Sequence, residues 1–129
     1  MTSQDIINWY EGVDQSRMDA EGHMVDLETL LFMRKQLSIQ AVKLANLTAA
    51  KQKHYKTIYA QRKVQQAIKE LEGEGSIADR KNMAIRDLEV SIMTEGKLDG
   101  EIAAGKIKLD QWNKVLDSMA GYIGAMKGI

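Results

Sequence analysis

Apolar residues along this chain recur at spacings of three and four over long stretches, which is the pattern of helices with one buried face. The first group, Ile6, Ile7, Trp9 and Tyr10, predicts a short helix over residues 3–11, with Ser3 as its N-cap and Gly12 as its end. The second group predicts a long helix that starts near Asp14 or Ser16 and covers about 16–71. It takes Gly22 into its interior at a cost of about 1 kcal/mol relative to alanine. Its seam reads Leu30, Met33, Leu37, Ala41, Leu44, Leu47, Tyr55 and Ile58. The spacing stays near a heptad to Leu44 and then steps eleven residues to Tyr55, a slip expected to unwind a left-handed coil locally.

Residues 72–76, "EGEGS", interrupt this pattern, and Ser76 with Asp79 three positions later forms a capping-box signature. A third helix over 77–127 then keeps a heptad through Leu88, Glu95, Leu98, Ile102, Gly105, Leu109, Trp112, Leu116, Met119, Ile123 and Met126. Gly96, Gly100 and Gly105 weaken helix propensity but leave the stripe intact, so one helix is expected throughout. The expected architecture is all-α and a single domain over 1–129: a short N-terminal helix and a long antiparallel, coiled-coil-like hairpin. Each long arm would extend about 75 Å. One stripe per arm supplies little core for that length, so a homo-oligomer is expected, with other chains or the first helix covering the remainder.

Composition agrees with helices: there is no proline and only 5% of residues are aromatic. The absence of cysteine excludes disulfides and thiolate zinc sites and fits a reducing cytoplasm. The N-terminus has neither a basic region nor an apolar core of the signal-peptide kind. No stretch approaches the roughly 20 apolar residues that span a membrane, so a soluble cytoplasmic protein with no membrane partner is expected.

The net charge of +0 conceals a strong asymmetry. Residues 1–28 carry seven acids and one base, residues 29–69 nine bases and no acid, and residues 70–129 eight bases and eleven acids. A 41-residue segment without an acid requires an anionic counterpart.

Catalytic chemistry finds no support in the motifs. There are two histidines, His23 and His54, and no HExxH, phosphate-loop or GxSxG motif, so neither an enzyme nor a cofactor is expected. Glu21, His23 and Asp26 form one conceivable metal set, but a single i, i+3 pair is a weak signal beside ordinary surface residues. Gly96, Gly100 and Ala104 form a small-residue pattern that would admit a closely crossing helix.

The most basic stretch is "KQKHYKTIYAQRK", residues 51–63. On a helical wheel Lys51, His54, Tyr55, Ile58 and Arg62 share the seam side, while Lys53, Lys56 and Lys63 lie opposite and Tyr59 stands at the boundary. Lys51 and Arg62 are anomalous, because charge on a seam is costly unless paired or able to snorkel. Lysines that track phosphates and a tyrosine that stacks on unpaired bases would suit single-stranded nucleic acid. The acidic N-terminal segment, in cis or from a neighbour, or an acidic protein surface, would satisfy the same field.

The layout resembles the phage recombination mediator family (UvsY-like). The resemblance lies in the acidic start "GVDQSRMDAEG", the basic stretch "KHYKTIYAQRK", the break "GEGS" and the tail "LDQWNKVLDSMAGYIGAMK". It covers most of the chain as a layout, without a specific motif. It implies a ring-like oligomer that binds single-stranded DNA in an infected host cell and helps load a recombinase over single-strand-binding protein. The nucleic-acid residues expected are Lys51, Lys53, Lys56, Tyr59, Arg62 and Lys63. The alternative expectation is a helical interaction protein, such as an assembly or adaptor component or an inhibitor of a host defence system.

Overall fold

The computed structural model describes residues 1–19 and 26–127, with the side chains of 14–19 left aside. Four helices account for these residues: α1 (Ser3–Asp19), α2 (Leu27–Glu72), α3 (Ile77–Asp87) and α4 (Glu89–Lys127). No strand occurs among the described residues, and the all-α class with a helical hairpin is established. No helix is long and apolar enough to cross a membrane.

The ends of α1 differ from expectation. Thr2, not Ser3, is the N-cap: its hydroxyl accepts the Asp5 N–H at 3.1 Å, and the Asp5 carboxylate accepts the Thr2 N–H at 2.9 Å. This reciprocal capping box is closed by the acid, which Ser3 as cap would leave unused. The helix also runs through Gly12 to Asp19. Its stripe of Ile6, Tyr10 and Val13 continues past the glycine, and packing of that stripe outweighs the propensity cost of about 1 kcal/mol. The long helix begins at Leu27, not near residue 16, and Gly22 lies outside the described residues.

The second break is also placed differently. The expected single helix over 77–127 is two elements separated by Leu88, whose backbone stands at φ −104 and ψ 14. Its N–H still reaches the carbonyls of Ala84 and Ile85 at 3.1 and 3.3 Å, so the hydrogen-bond ladder nearly persists. Because Leu88 is itself buried at a seam position, the heptad carries from Ala84 through it into α4. The glycines at 96, 100 and 105 do not interrupt α4.

Residues 1–129 fall into two compact units, and α2 and α4 each contribute to both. The first unit comprises 1–46 and 106–129. In it α1 supplies Ile6, Ile7 and Tyr10, α2 supplies Leu30, Met33 and Leu37, and α4 supplies Met119, Tyr122 and Ile123 to one apolar core. Trp112, Leu116 and Met126 pack at its margin, and Leu109 is half-buried. The Tyr10 hydroxyl, carried into this core, is satisfied by Ser118 Oγ at 2.7 Å. The first helix thus covers the apolar stripes of α2 and α4 in this unit.

The second unit, residues 47–105, is an antiparallel hairpin. Gly73–Ser76 turns the chain, with Gly75 at φ +99, a conformation that favours glycine. Ser76 caps α3 as expected, accepting the Asp79 N–H at 3.1 Å. Arg80 of α3 donates to the Glu70 carbonyl at 3.2 Å and so satisfies one of the acceptors left open at the end of α2. The buried apolar residues of this unit are Ala84, Leu88, Leu98 and Ile102, with Tyr55 and Ile58 half-buried opposite them.

The α2 seam contains no eleven-residue slip. Leu47 is 54% exposed and Thr48 takes the inward position at 6%. From there Lys51, Tyr55, Ile58, Arg62, Gln66 and Glu70 continue the half-buried row at spacings of three and four. The apparent slip arose because Thr48, Lys51 and Arg62 are polar residues on a buried row, and apolar patterning does not register them.

Candidate nucleic-acid interface

The basic stretch 51–63 lies within α2 in the hairpin unit, where the facing arm sorts its cations into two sets. Lys51 and Arg62 face α4 and are paired. Lys51 Nζ lies 3.3 Å from Glu101 Oε2. Arg62 grips Glu95 through both carboxylate oxygens: Nε donates to Oε2, and Nη2 donates to Oε1 at 3.0 Å. The remaining Arg62 amine donates to Gln66 Oε1 at 3.0 Å, and Gln66 donates onward to Glu70 at 3.3 Å. The Arg62 and Glu95 side chains are 13% and 7% exposed, so this is a buried, bidentate pair with its spare donor satisfied. The hydrogen bond that Arg62 donates to Glu95 outweighs burial and holds the guanidinium above the usual arginine pKa.

This pairing explains both anomalies on the seam. The neutralising acids come from α4, with Asp87 of α3 adding a pair to Lys69 at 3.4 Å. Among the described residues, none of the ion pairs joins this segment to the acidic N-terminal stretch. Residues 47–105 carry ten bases and nine acids, a net charge of +1, so the surplus is largely cancelled inside the hairpin.

Lys53, Lys56 and Lys63 form the second set. All three are exposed, and among the described residues no ion pair engages them. His54, which the wheel placed on the seam side, is exposed as well. Tyr59 is 42% exposed, but its ring is already in company. The Tyr55 ring stacks on it at 6.2 Å between centroids and 16° between planes. The Arg62 guanidinium lies 5.3 Å from its centroid and Lys63 Nζ 5.5 Å. Both cations are held by its electron-rich face. The six nominated residues therefore do not make one surface: Lys53, Lys56 and Lys63 face out, Tyr59 borders them, and Lys51 and Arg62 serve the hairpin.

The small-residue pattern has a different use from the one expected. A Cβ on Gly96 or Gly100 would meet nothing within 4 Å, so among the described residues no helix approaches closely there. The close approach is one turn further on, where a Cβ on Gly105 would stand 2.5 Å from Thr48 Oγ1. Sequence reasoning missed Thr48 and Glu95 as partners. Glu95 was visible as an acid in a heptad seam position, a signal that it needs a partner though not of which cation answers it.

Among the described residues no group of three histidine, aspartate or glutamate side chains could hold a metal, and Glu21 and His23 lie outside those residues. The groove between α1 and α4 in the first unit, lined by Ser3, Gln4, Glu11, Lys108, Gln111 and Trp112, brings together one hydroxyl, one carboxylate and one amine. No protein-family model matches the sequence, and no curated protein and no solved structure matches it.

Proposed function

We propose that this chain is a non-enzymatic, oligomeric helical protein that binds single-stranded DNA, with Lys53, Lys56 and Lys63 tracking phosphates. The observation that carries the reading is the division of the cations: the facing arm neutralises Lys51 and Arg62 and leaves three exposed lysines on the outer side of α2. Lys53 and Lys56 lie one helical turn apart and Lys63 two turns beyond, so the row follows a single strand for about 15 Å. Tyr59 is exposed beside that row, and Arg62 and Lys63 lie against its ring. A role in phage recombination, loading a recombinase over single-strand-binding protein, extends this reading through the layout resemblance alone.

Fluorescence titration of labelled oligo-dT across a salt series tests it. Three phosphate contacts per chain give a slope of log K against log salt of about −2. Lys53→Glu/Lys56→Glu/Lys63→Glu should abolish binding, whereas Lys51→Gln should leave most of it. No binding at low salt sinks the proposal.

A second reading, a helical protein–protein interaction component, is favoured by a different observation. Phe32, Ile39 and Val42 are 52%, 41% and 59% exposed on the part of α2 that belongs to the first unit. The same titration separates the readings, since a pure protein-interaction component leaves oligo-dT unbound.

A further inference from the structure

In the first unit, α2 is apolar on two faces. Leu30, Met33, Leu37 and Ala41 enter the core, while Phe32 and Ile39 project roughly opposite with Leu31 and Val42 at their edge. The second face has no cover among the described residues: Leu31, Phe32, Ile39 and Val42 are all exposed. Single exposed apolar residues are ordinary on a monomer, but these share one stripe over about three turns.

The charges along this stripe specify what would cover it. Glu28 stands at its N-terminal end and Lys43 at its C-terminal end, both exposed, with Lys35 between. In a parallel pairing of two such helices, acid would meet acid and base would meet base. In an antiparallel pairing about a two-fold axis between Lys35 and Gln36, Glu28 of each copy meets Lys43 of the other. The same operation sets Phe32 of each copy against Ile39 of the other. Lys35 sits near the axis, where its stem can cover apolar surface while its amine reaches water. The stripe is thus complementary to itself in one orientation only, as an isologous interface requires.

We propose that the Phe32–Ile39 face of α2 is a two-fold docking surface for a second copy of this chain, pairing antiparallel with Glu28 set against Lys43. This deepens the assembly half of the function proposed above and is independent of its DNA-binding half.

Light scattering of the full chain without DNA provides the test. The wild type should have a mass of two chains or a multiple of two, and Phe32→Glu/Ile39→Glu should halve it or reduce it to one chain with unchanged circular dichroism. Should that variant misfold, charge exchange keeps the question open to measurement. Glu28→Lys should weaken association about tenfold, and Glu28→Lys/Lys43→Glu should restore it. Because the chain has no cysteine, Lys35→Cys should give a disulfide-linked dimer on mild oxidation, while Leu71→Cys at the hairpin tip should not. A one-chain mass for the wild type, a mass insensitive to both glutamates, or no recovery in the charge-exchanged variant overturns the proposal. Oligo-dT titration of the same samples reports the DNA-binding reading separately, so either can fail alone.

Discussion

A methyl group on Gly105 would lie 2.5 Å from Thr48 Oγ1, and threonine in a helix has few rotamers with which to yield. Gly105→Ala should therefore cost about 1–3 kcal/mol from overpacking, reduced by the roughly 1 kcal/mol that alanine gains in helix propensity. Gly96→Ala and Gly100→Ala meet open space and should stabilise by up to about 1 kcal/mol. Urea midpoints distinguish the three, and adding Thr48→Ala to Gly105→Ala should recover stability non-additively. The Arg62–Glu95 pair obeys different logic. Glu95→Ala strands a largely buried guanidinium and should cost about 3 kcal/mol, whereas Arg62→Met/Glu95→Met should fall within about 1 kcal/mol of wild type. If the double variant were as unstable as Glu95→Ala, the pair would be contributing net stability and this account of its cost would be wrong. That Lys51 and Arg62 needed partners was legible from their seam positions. Which acids would serve was not, because the match depends on the register of a hairpin whose turn is more than ten residues from Arg62.

At the scale of elements, local chemistry set some boundaries and tertiary packing set others. The Gly73–Ser76 turn was readable because Gly75 needs positive φ and Ser76 caps α3 within four residues of chain. Gly12 misled because its propensity cost is small beside the burial of Tyr10 and Val13 on either side. Leu88 misled in the opposite sense: nothing about a leucine announces an element boundary. The cap of α1 supports a prediction. Hydrogen bonds from Thr2 hold the Asp5 carboxyl below the usual aspartate pKa. A depressed pKa contributes stability above the unfolded value that is lost as pH falls through the folded one, so α1 should loosen at its N-terminus on acidification below about pH 4. Amide chemical shifts of Thr2 and Asp5 followed from pH 6 to pH 2 check this. Asp5→Asn should flatten that dependence, and an unchanged titration would remove the capping box from the account.

At the scale of the whole molecule, the two units differ in what holds them. Residues 1–46 and 106–129 share a core of large side chains, including Ile6, Leu30, Leu37 and Met119, which are the largest fully buried residues. Residues 47–105 bury Ala84, Leu88, Leu98 and Ile102 and otherwise rely on the Thr48–Gly105 contact and the paired charges. Local stability follows buried apolar contact, so amides of α2 after residue 50 should exchange with deuterium faster than those over 30–41, although both belong to one helix. Uniform protection along α2 would show that the polar clamps stabilise as much as the apolar core does.

Periodicity alone determined that this chain is helical, where it turns back, and that α4 keeps a heptad seam through three glycines. These are local or one-dimensional properties, set by backbone propensity and by the match between a 3.5-residue repeat and the helix. The tertiary structure decided how the charges are used. A count of nine bases and no acid over 29–69 is a sum along the chain, while neutralisation depends on distance in space. Folding brings Glu95 and Glu101 against Arg62 and Lys51, leaves Lys53, Lys56 and Lys63 facing outward, and exposes a second apolar face on α2 beside Glu28 and Lys43. The helical wheel separated the seam cations from the outward lysines, but which acid answers each seam cation depends on which residue of the opposite arm stands across from it.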